Sequence, residues 1–154
     1  MPIRSGRVAV CNHFRRLENM YRAAPINRIF EPKLEVTDGA AVLTMDVKPD
    51  FFHAANALHG SVYFKALDDA AFFAVNSLVR DSFVLTVSFT TYLLRPVTEG
   101  TLRAEGTVTS RSKNLFVAES VLYSGPERQV ARGSGTFMRS RVSLESVDSY
   151  RTDA

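Results

Sequence analysis

From His13 to Ala24 the apolar residues Phe14, Leu17, Met20 and Tyr21 recur at intervals of three and four. That spacing lays one face of an α-helix against a core. Pro25 ends the helix. Lys33 to Thr37 then alternates, with Leu34 and Val36 between polar neighbours, and Asp38-Gly39 is the dipeptide of a two-residue hairpin turn. Ala41 to Val47 alternates again as the returning strand. Residues 50–60 show no period and collect small residues, His and Asn. The helical period returns from about Leu58 to Leu78. Beyond Asp81 the chain reads as strands: Val84 to Leu94, ending at Arg95-Pro96; Thr101 to Ser110; Leu115 to Tyr123; and Gln129 to Met138. Turn signals separate them at about eight- to twelve-residue intervals, the rhythm of an antiparallel meander. The tail from Ser140 is polar and is expected to fray. With no repeat, low-complexity tract or Gly/Ser linker, residues 1–154 read as one α+β domain, with about six antiparallel strands packed on the central helix.

The helix from Ser61 to Leu78 is apolar around most of its circumference, which marks it as buried. Its polar positions are few: Ser61, Lys65, Asp68, Asp69 and Asn76. At ~100° per residue they fall, with Phe72, on one stripe. Adjacent carboxylates on a buried helix need water, a partner or a function. The plainer alternative is a Lys65–Asp69 pair at i, i+4 on a solvent-facing stripe.

Composition narrows the class. The 154 residues are 45% hydrophobic and 23% charged, with eleven Phe and five Tyr, which suits a globular chain rather than a disordered one. The apolar run Ala70 to Val75 is far short of the ~20 residues of a membrane span. Cys11 is the only cysteine, which excludes an internal disulfide and fits a cytoplasmic setting. Net charge is +3, yet residues 1–28 hold Arg4, Arg7, Arg15, Arg16, Arg22 and Arg28 against Glu18 alone. Such a segment suits either a phosphate-bearing ligand or a solvated helix face. Its apolar stretch, Val8 to Cys11, is shorter than the core of a signal peptide. A transit-peptide composition stays open. No second helix stands beside the first as a helix-turn-helix would need, so nucleic acid is not an expected partner, and the short apolar run makes a membrane equally unexpected.

The loop before the central helix carries candidate chemistry: Phe51-Phe52-His53-Ala54-Ala55-Asn56-Ala57-Leu58-His59-Gly60-Ser61. Gly60 lets another group approach the backbone. A helix start offers unpaired N–H groups and about half a positive charge, suited to an oxygen gaining negative charge. His53, Asn56 and His59 also fit capping and loop packing, with Asn56 as the N-cap. His53 and His59 lack a third metal ligand, so no metal and no cofactor is expected.

Asn56 to Asp68, with His59-Gly60 eight residues before the carboxylate, resembles the H-G-G-x-x-x-x-x-x-D segment of hotdog-fold acyl-CoA thioesterases of the phenylacetate-pathway type. Leu85 to Phe89, Tyr92 to Pro96 and Gly100 are similar to that family's next strand, and Val130 to Phe137 to its last, so the likeness covers about residues 31–139. The resemblance implies a hotdog fold, a long central helix wrapped by a curved antiparallel sheet, here with an extra N-terminal helix. It implies homodimers or dimers of dimers, and a substrate carbonyl polarised at the helix start. Asp68 would be nucleophile or general base, and Thr86 would position water or the acid. The implied catalytic set is Asn56, His59, Gly60, Asp68 and Thr86, with His53 and Ser61 against the substrate. Arg95, Arg111, Lys113 and Arg132, on or between the later strands, are candidates for CoA phosphates or are solvated edge residues. Ser61 replaces the second Gly of the motif. His53 stands where the family often has Asn, and Asp69 is an extra acid. Spacing favours Asp68 over Asp69.

Gly60 and Asp68 lie eight residues apart, about 12 Å along one helix axis. One side chain cannot bridge that gap, so a complete site needs two chains related by a two-fold axis. Two other readings remain open: a hotdog enoyl-CoA hydratase using Asp50 with His53 or His59, and a non-catalytic acyl-CoA-binding module. Phe51, Phe52, Tyr63, Phe64 and Phe72 suit either an aryl or medium-chain acyl pocket or plain core.

Overall fold

The computed structural model describes residues 3–152. Helix α1 (Ile3–Ala23) and the short α2 (Asn27–Phe30) lead into the hairpin β1 (Lys33–Thr37) and β2 (Ala40–Asp46). After a 3-10 turn at Pro49–Phe51 comes α3 (Gly60–Asn76), then β3 (Ser82–Leu93), β4 (Thr101–Arg111), β5 (Leu115–Ser124) and β6 (Gln129–Ser143). A second 3-10 turn (Leu144–Ser146) and α4 (Asp148–Arg151) close the chain. The strands form one antiparallel sheet in the order β1-β2-β4-β5-β6-β3, with α3 packed on it. The chain is therefore α+β, with the hotdog arrangement of helix and sheet that the resemblance implied. No helix among the described residues is long and apolar enough to cross a membrane.

Alternation explains the sheet's two sides. Leu102 and Ala104 on β4, Phe116, Ala118 and Leu122 on β5, and Ala131 and Phe137 on β6 are buried against α3. Gly106 sets how close the helix comes. A Cβ there would sit 2.3 Å from the Ala70 carbonyl oxygen, so only glycine lets β4 touch the helix backbone.

Phe14, Leu17, Met20 and Tyr21 are all buried, as the helical spacing requires. The helix starts at Ile3 rather than near His13. Two further expectations are corrected. The tail does not fray from Ser140: β6 runs to Ser143, and Leu144 and Tyr150 are buried. His13 anchors it. Its Nε2–H donates to the Asn76 carbonyl at 2.9 Å, and its Nδ1 accepts from the Tyr150 hydroxyl at 2.7 Å. Burial holds the imidazole below its usual pKa, in keeping with that neutral role. Asn76 is likewise no part of a free polar stripe. Its Nδ2 donates to the Val79 and Ser82 carbonyls and its Oδ1 accepts from the Val84 N–H, which ties the helix end to β3.

Candidate active site

Two separate clusters lie along α3. The first is its N-terminus. An isolated bridge pairs Phe52 with Leu58, and the His59 N–H donates to the Phe51 carbonyl, so the chain stays extended up to the helix. His59, not Asn56, is therefore the N-cap: its Nδ1 accepts from the Ser61 N–H at 3.1 Å and lies 2.8 Å from the Ser61 hydroxyl. Asn56 is exposed, with φ of 62°, in a turn closed by its N–H on the His53 carbonyl. The His53 ring accepts from the Ala55 N–H.

With the Ser61 N–H engaged by His59 and the Val62 N–H by the His59 carbonyl, the Gly60 N–H has no partner among the described residues. A cavity of about 270 Å³ opens there, lined by His53, Gly60, Tyr63, Leu93 and Arg95. A Cβ on residue 60 would come within 3.1 Å of the Leu93 side chain, so glycine keeps this approach open.

The second cluster is near mid-helix. Thr86 Oγ1 donates to Asp68 Oδ1 at 2.9 Å. Burial, reinforced by the charge of Asp69, raises the Asp68 carboxyl to about 6, while the Thr86 hydroxyl and Lys65 pull the other way. Asp69 is differently placed. It accepts from Lys65 Nζ at 2.7 Å and from the Tyr21 hydroxyl at 2.6 Å. Burial and the neighbouring carboxylates push the Tyr21 phenol far up, so it stays protonated as a donor. The structural alternative read from the sequence, a Lys65–Asp69 pair, therefore exists, and it leaves Asp68 outside it. Asp68 and Thr86 face a cavity of about 360 Å³ whose other walls are mostly apolar. A larger cavity of about 410 Å³, beyond Tyr21, holds none of the expected site residues.

The raised Asp68 carboxyl makes a stability prediction. The folded state favours the protonated form, so stability falls as pH rises from about 4 through about 6, and the loss is complete above that. Asp68→Asn removes the buried charge. It is expected to stabilise the protein at pH 8 by on the order of 2 kcal/mol and to match the wild type at pH 4. Urea unfolding at both pH values checks this; equal midpoints at pH 8 overturn it.

The expected cations do not gather. Arg95 lines the Gly60 cavity. Arg95 N–H bonds the Val130 carbonyl, whereas Arg139 bonds the Lys113 carbonyl at the other end of β6. Arg111 and Lys113 are thus about 30 Å of strand away from Arg95 within one chain. Arg132 is exposed between buried Ala131 and Gly133, on the side of the sheet away from α3. Arg15 pairs with Glu18, and Arg16 lies 3.6 Å from Glu145. Asp50 and His59 line one shallow cavity, with no hydrogen bond between them among those described. Of the aromatics, Phe51, Tyr63 and Phe72 are core, and Phe64 is exposed against Phe89. Tyr21 is the site residue that periodicity missed: it reads as core, yet a buried tyrosine hydroxyl usually finds a partner, here Asp69.

Residues 55–131 match the family model described as the thioesterase superfamily. Over 81 residues the chain is 33% identical to the SSO1253 protein of Saccharolobus solfataricus, whose name provisionally makes it an esterase. That stretch is 53% of this chain, and the chain spans about half, 54%, of that relative's length. The structure of the E. coli PaaI protein from the phenylacetic acid degradation operon superposes with a TM-score of 0.79 at 22% identity, covering 87% of this chain and 97% of the other. A thioesterase family protein from Silicibacter pomeroyi gives 0.75 at 25% identity, over 80% and 95%.

Proposed function

This chain belongs to the thioesterase superfamily, and from that premise we propose that it hydrolyses acyl-CoA thioesters to free acid and CoA in a site shared by two subunits. The observation that carries the reading is the unpartnered Gly60 N–H at the start of the helix that also bears the half-buried Asp68 carboxyl, about 12 Å away. A helix start stabilises an oxygen that gains negative charge, and a carboxylate near neutrality accepts a proton from water.

The reaction balances without a cofactor. The thioester carbonyl oxygen sits at Gly60 of one subunit. Asp68 of the other takes a proton as water oxygen bonds to the carbonyl carbon. The oxyanion collapses, the C–S bond breaks, and the proton passes from Asp68 to the departing sulfur. Thr86 holds the carboxyl in place. A covalent route through Asp68 as nucleophile would form a mixed anhydride with loss of the thiolate, and attack of ¹⁸O-water on its Asp68 carbonyl would label Asp68 in a single turnover, a label the general-base route never gives.

The surface supports the dimer. β3 is an edge strand exposing Leu85, Val87, Tyr92 and Leu93, with Leu94 just beyond. Long apolar edges are rarely left uncovered. Phe64 is 42% exposed and lies midway between residues 60 and 68, where a two-fold axis between antiparallel helices would pass.

Free-thiol release across a panel of acyl-CoAs tests the activity: saturable release on aryl or medium-chain members supports it, and tight binding without release favours the non-catalytic module. Arg95 lines the Gly60 cavity and is the cation assigned here to a CoA phosphate. Arg95→Glu is expected to raise KM severalfold at low salt, with the difference shrinking as salt screens it. An unchanged KM removes Arg95 from the CoA site. Arg111 and Lys113 can contribute only by reaching another subunit's site.

A further inference from the structure

The cavity beside Asp68 has a wall that the hydrolytic step does not use. Met20, at the end of α1, and Ala24 and Ile26, in the turn after it, form that wall. Phe72 and Phe83 stand among the other lining residues. The space is about 360 Å³, within the range of small-molecule sites. We propose that it holds the acyl group of the thioester, an uncharged aryl or medium-chain group, and that Met20, Ala24 and Ile26 set the size accepted. This rests on the thioesterase reading of Asp68.

Position gives the first argument. Thr86 holds Asp68 in this cavity, not in the one at Gly60. A water activated by Asp68 attacks the carbonyl carbon, so that carbon lies beside Asp68. Its alkyl or aryl substituent then enters the adjoining space, while the sulfur and CoA leave toward Gly60 and Arg95 of the other subunit.

Chemistry gives the second. Lys65 and Asp69 are paired with each other, and Asp69 also takes the Tyr21 hydroxyl. What remains of the lining is largely apolar, and burying an apolar acyl group there removes its surface from water. An acyl group ending in a carboxylate would instead face the Asp68 carboxyl, which has no cation of its own. Ile26, outside the β3 edge assigned to the dimer, is 50% exposed and gives the mouth an apolar rim. The wall is also held at a set distance. Tyr21 is tied to Asp69 at 2.6 Å, and Asn27 Nδ2 donates to the Tyr21 carbonyl at 2.6 Å.

The test measures kcat/KM for straight-chain acyl-CoAs from acetyl to lauroyl and for phenylacetyl-CoA, in the wild type, Ala24→Phe and Ile26→Trp. Ala24→Phe fills the cavity and is expected to lower the lauroyl-to-acetyl and phenylacetyl-to-acetyl ratios at least about tenfold. The straight-chain and phenylacetyl arms tell a chain-shaped site from a ring-shaped one. Ile26→Trp, at an exposed position that leaves folding intact, shifts the ratios the same way and carries the test if Ala24→Phe does not fold. The Kd of the same acyl-CoAs on an Asp68→Asn background should show the same ranking without turnover. Unchanged ratios in both variants, with hydrolysis intact, overturn the acyl site and leave the thioesterase reading standing. Failure of the wild type to hydrolyse any thioester overturns both.

Discussion

Asp68→Asn is expected to lower turnover at least about 100-fold, the low end for a general base, while binding of a non-hydrolysable acyl-CoA analogue survives. Asn keeps the shape and the Thr86 contact and removes only the proton acceptor. The wild-type pH profile should show the same group. With Asp68 raised to about 6, kcat/KM should climb as pH passes through about 6 and level off above it, and that limb should vanish in Asp68→Asn. Asp69→Asn should cost far less activity. Its charge is already met by Lys65 and Tyr21, so its loss should appear mainly as lower stability. Activity that collapses with Asp69→Asn and persists with Asp68→Asn overturns the assignment. Activity indifferent to both points to a binding module.

Mixing two dead proteins should restore activity. An Asp68→Asn chain keeps its Gly60, and a Gly60→Val chain keeps its Asp68. The added side chain at position 60 meets Leu93 and closes the approach to the backbone. In a two-fold dimer, one site of each hybrid combines the intact Gly60 of one chain with the intact Asp68 of the other. Random exchange in equal amounts makes half the dimers hybrids, so about a quarter of wild-type activity should return. The parent proteins alone should stay inactive. A fully active monomer, or no recovery despite proven subunit exchange, sinks the shared site.

Much of the fold was legible in the chain because its signals are local. The Asp38-Gly39 turn, the alternation on either side of it and the later strand spacing all match the observed elements within a few residues. The tail was misread for the converse reason. Leu144 and Tyr150 are single apolar residues in a polar stretch, and what buries Tyr150 includes His13, 137 positions away.

The same division runs through the candidate site. Sequence alone determined that one helix carries both the glycine start and the carboxylates, because helical rise makes their separation a matter of counting. It also determined that the two groups of one chain cannot meet. Three things were decided only by the tertiary structure. His59 rather than Asn56 caps the helix, because the Phe52–Leu58 bridge keeps the backbone extended to residue 59. Asp69 is paired while Asp68 is left with Thr86, because α1 brings Tyr21 to one carboxylate and β3 brings a hydroxyl to the other. The cations separate, because β6 holds Arg95 and Lys113 at its opposite ends. Each depends on a contact between segments far apart in the chain. Local periodicity records which face of an element is buried, but not which distant side chain meets it there.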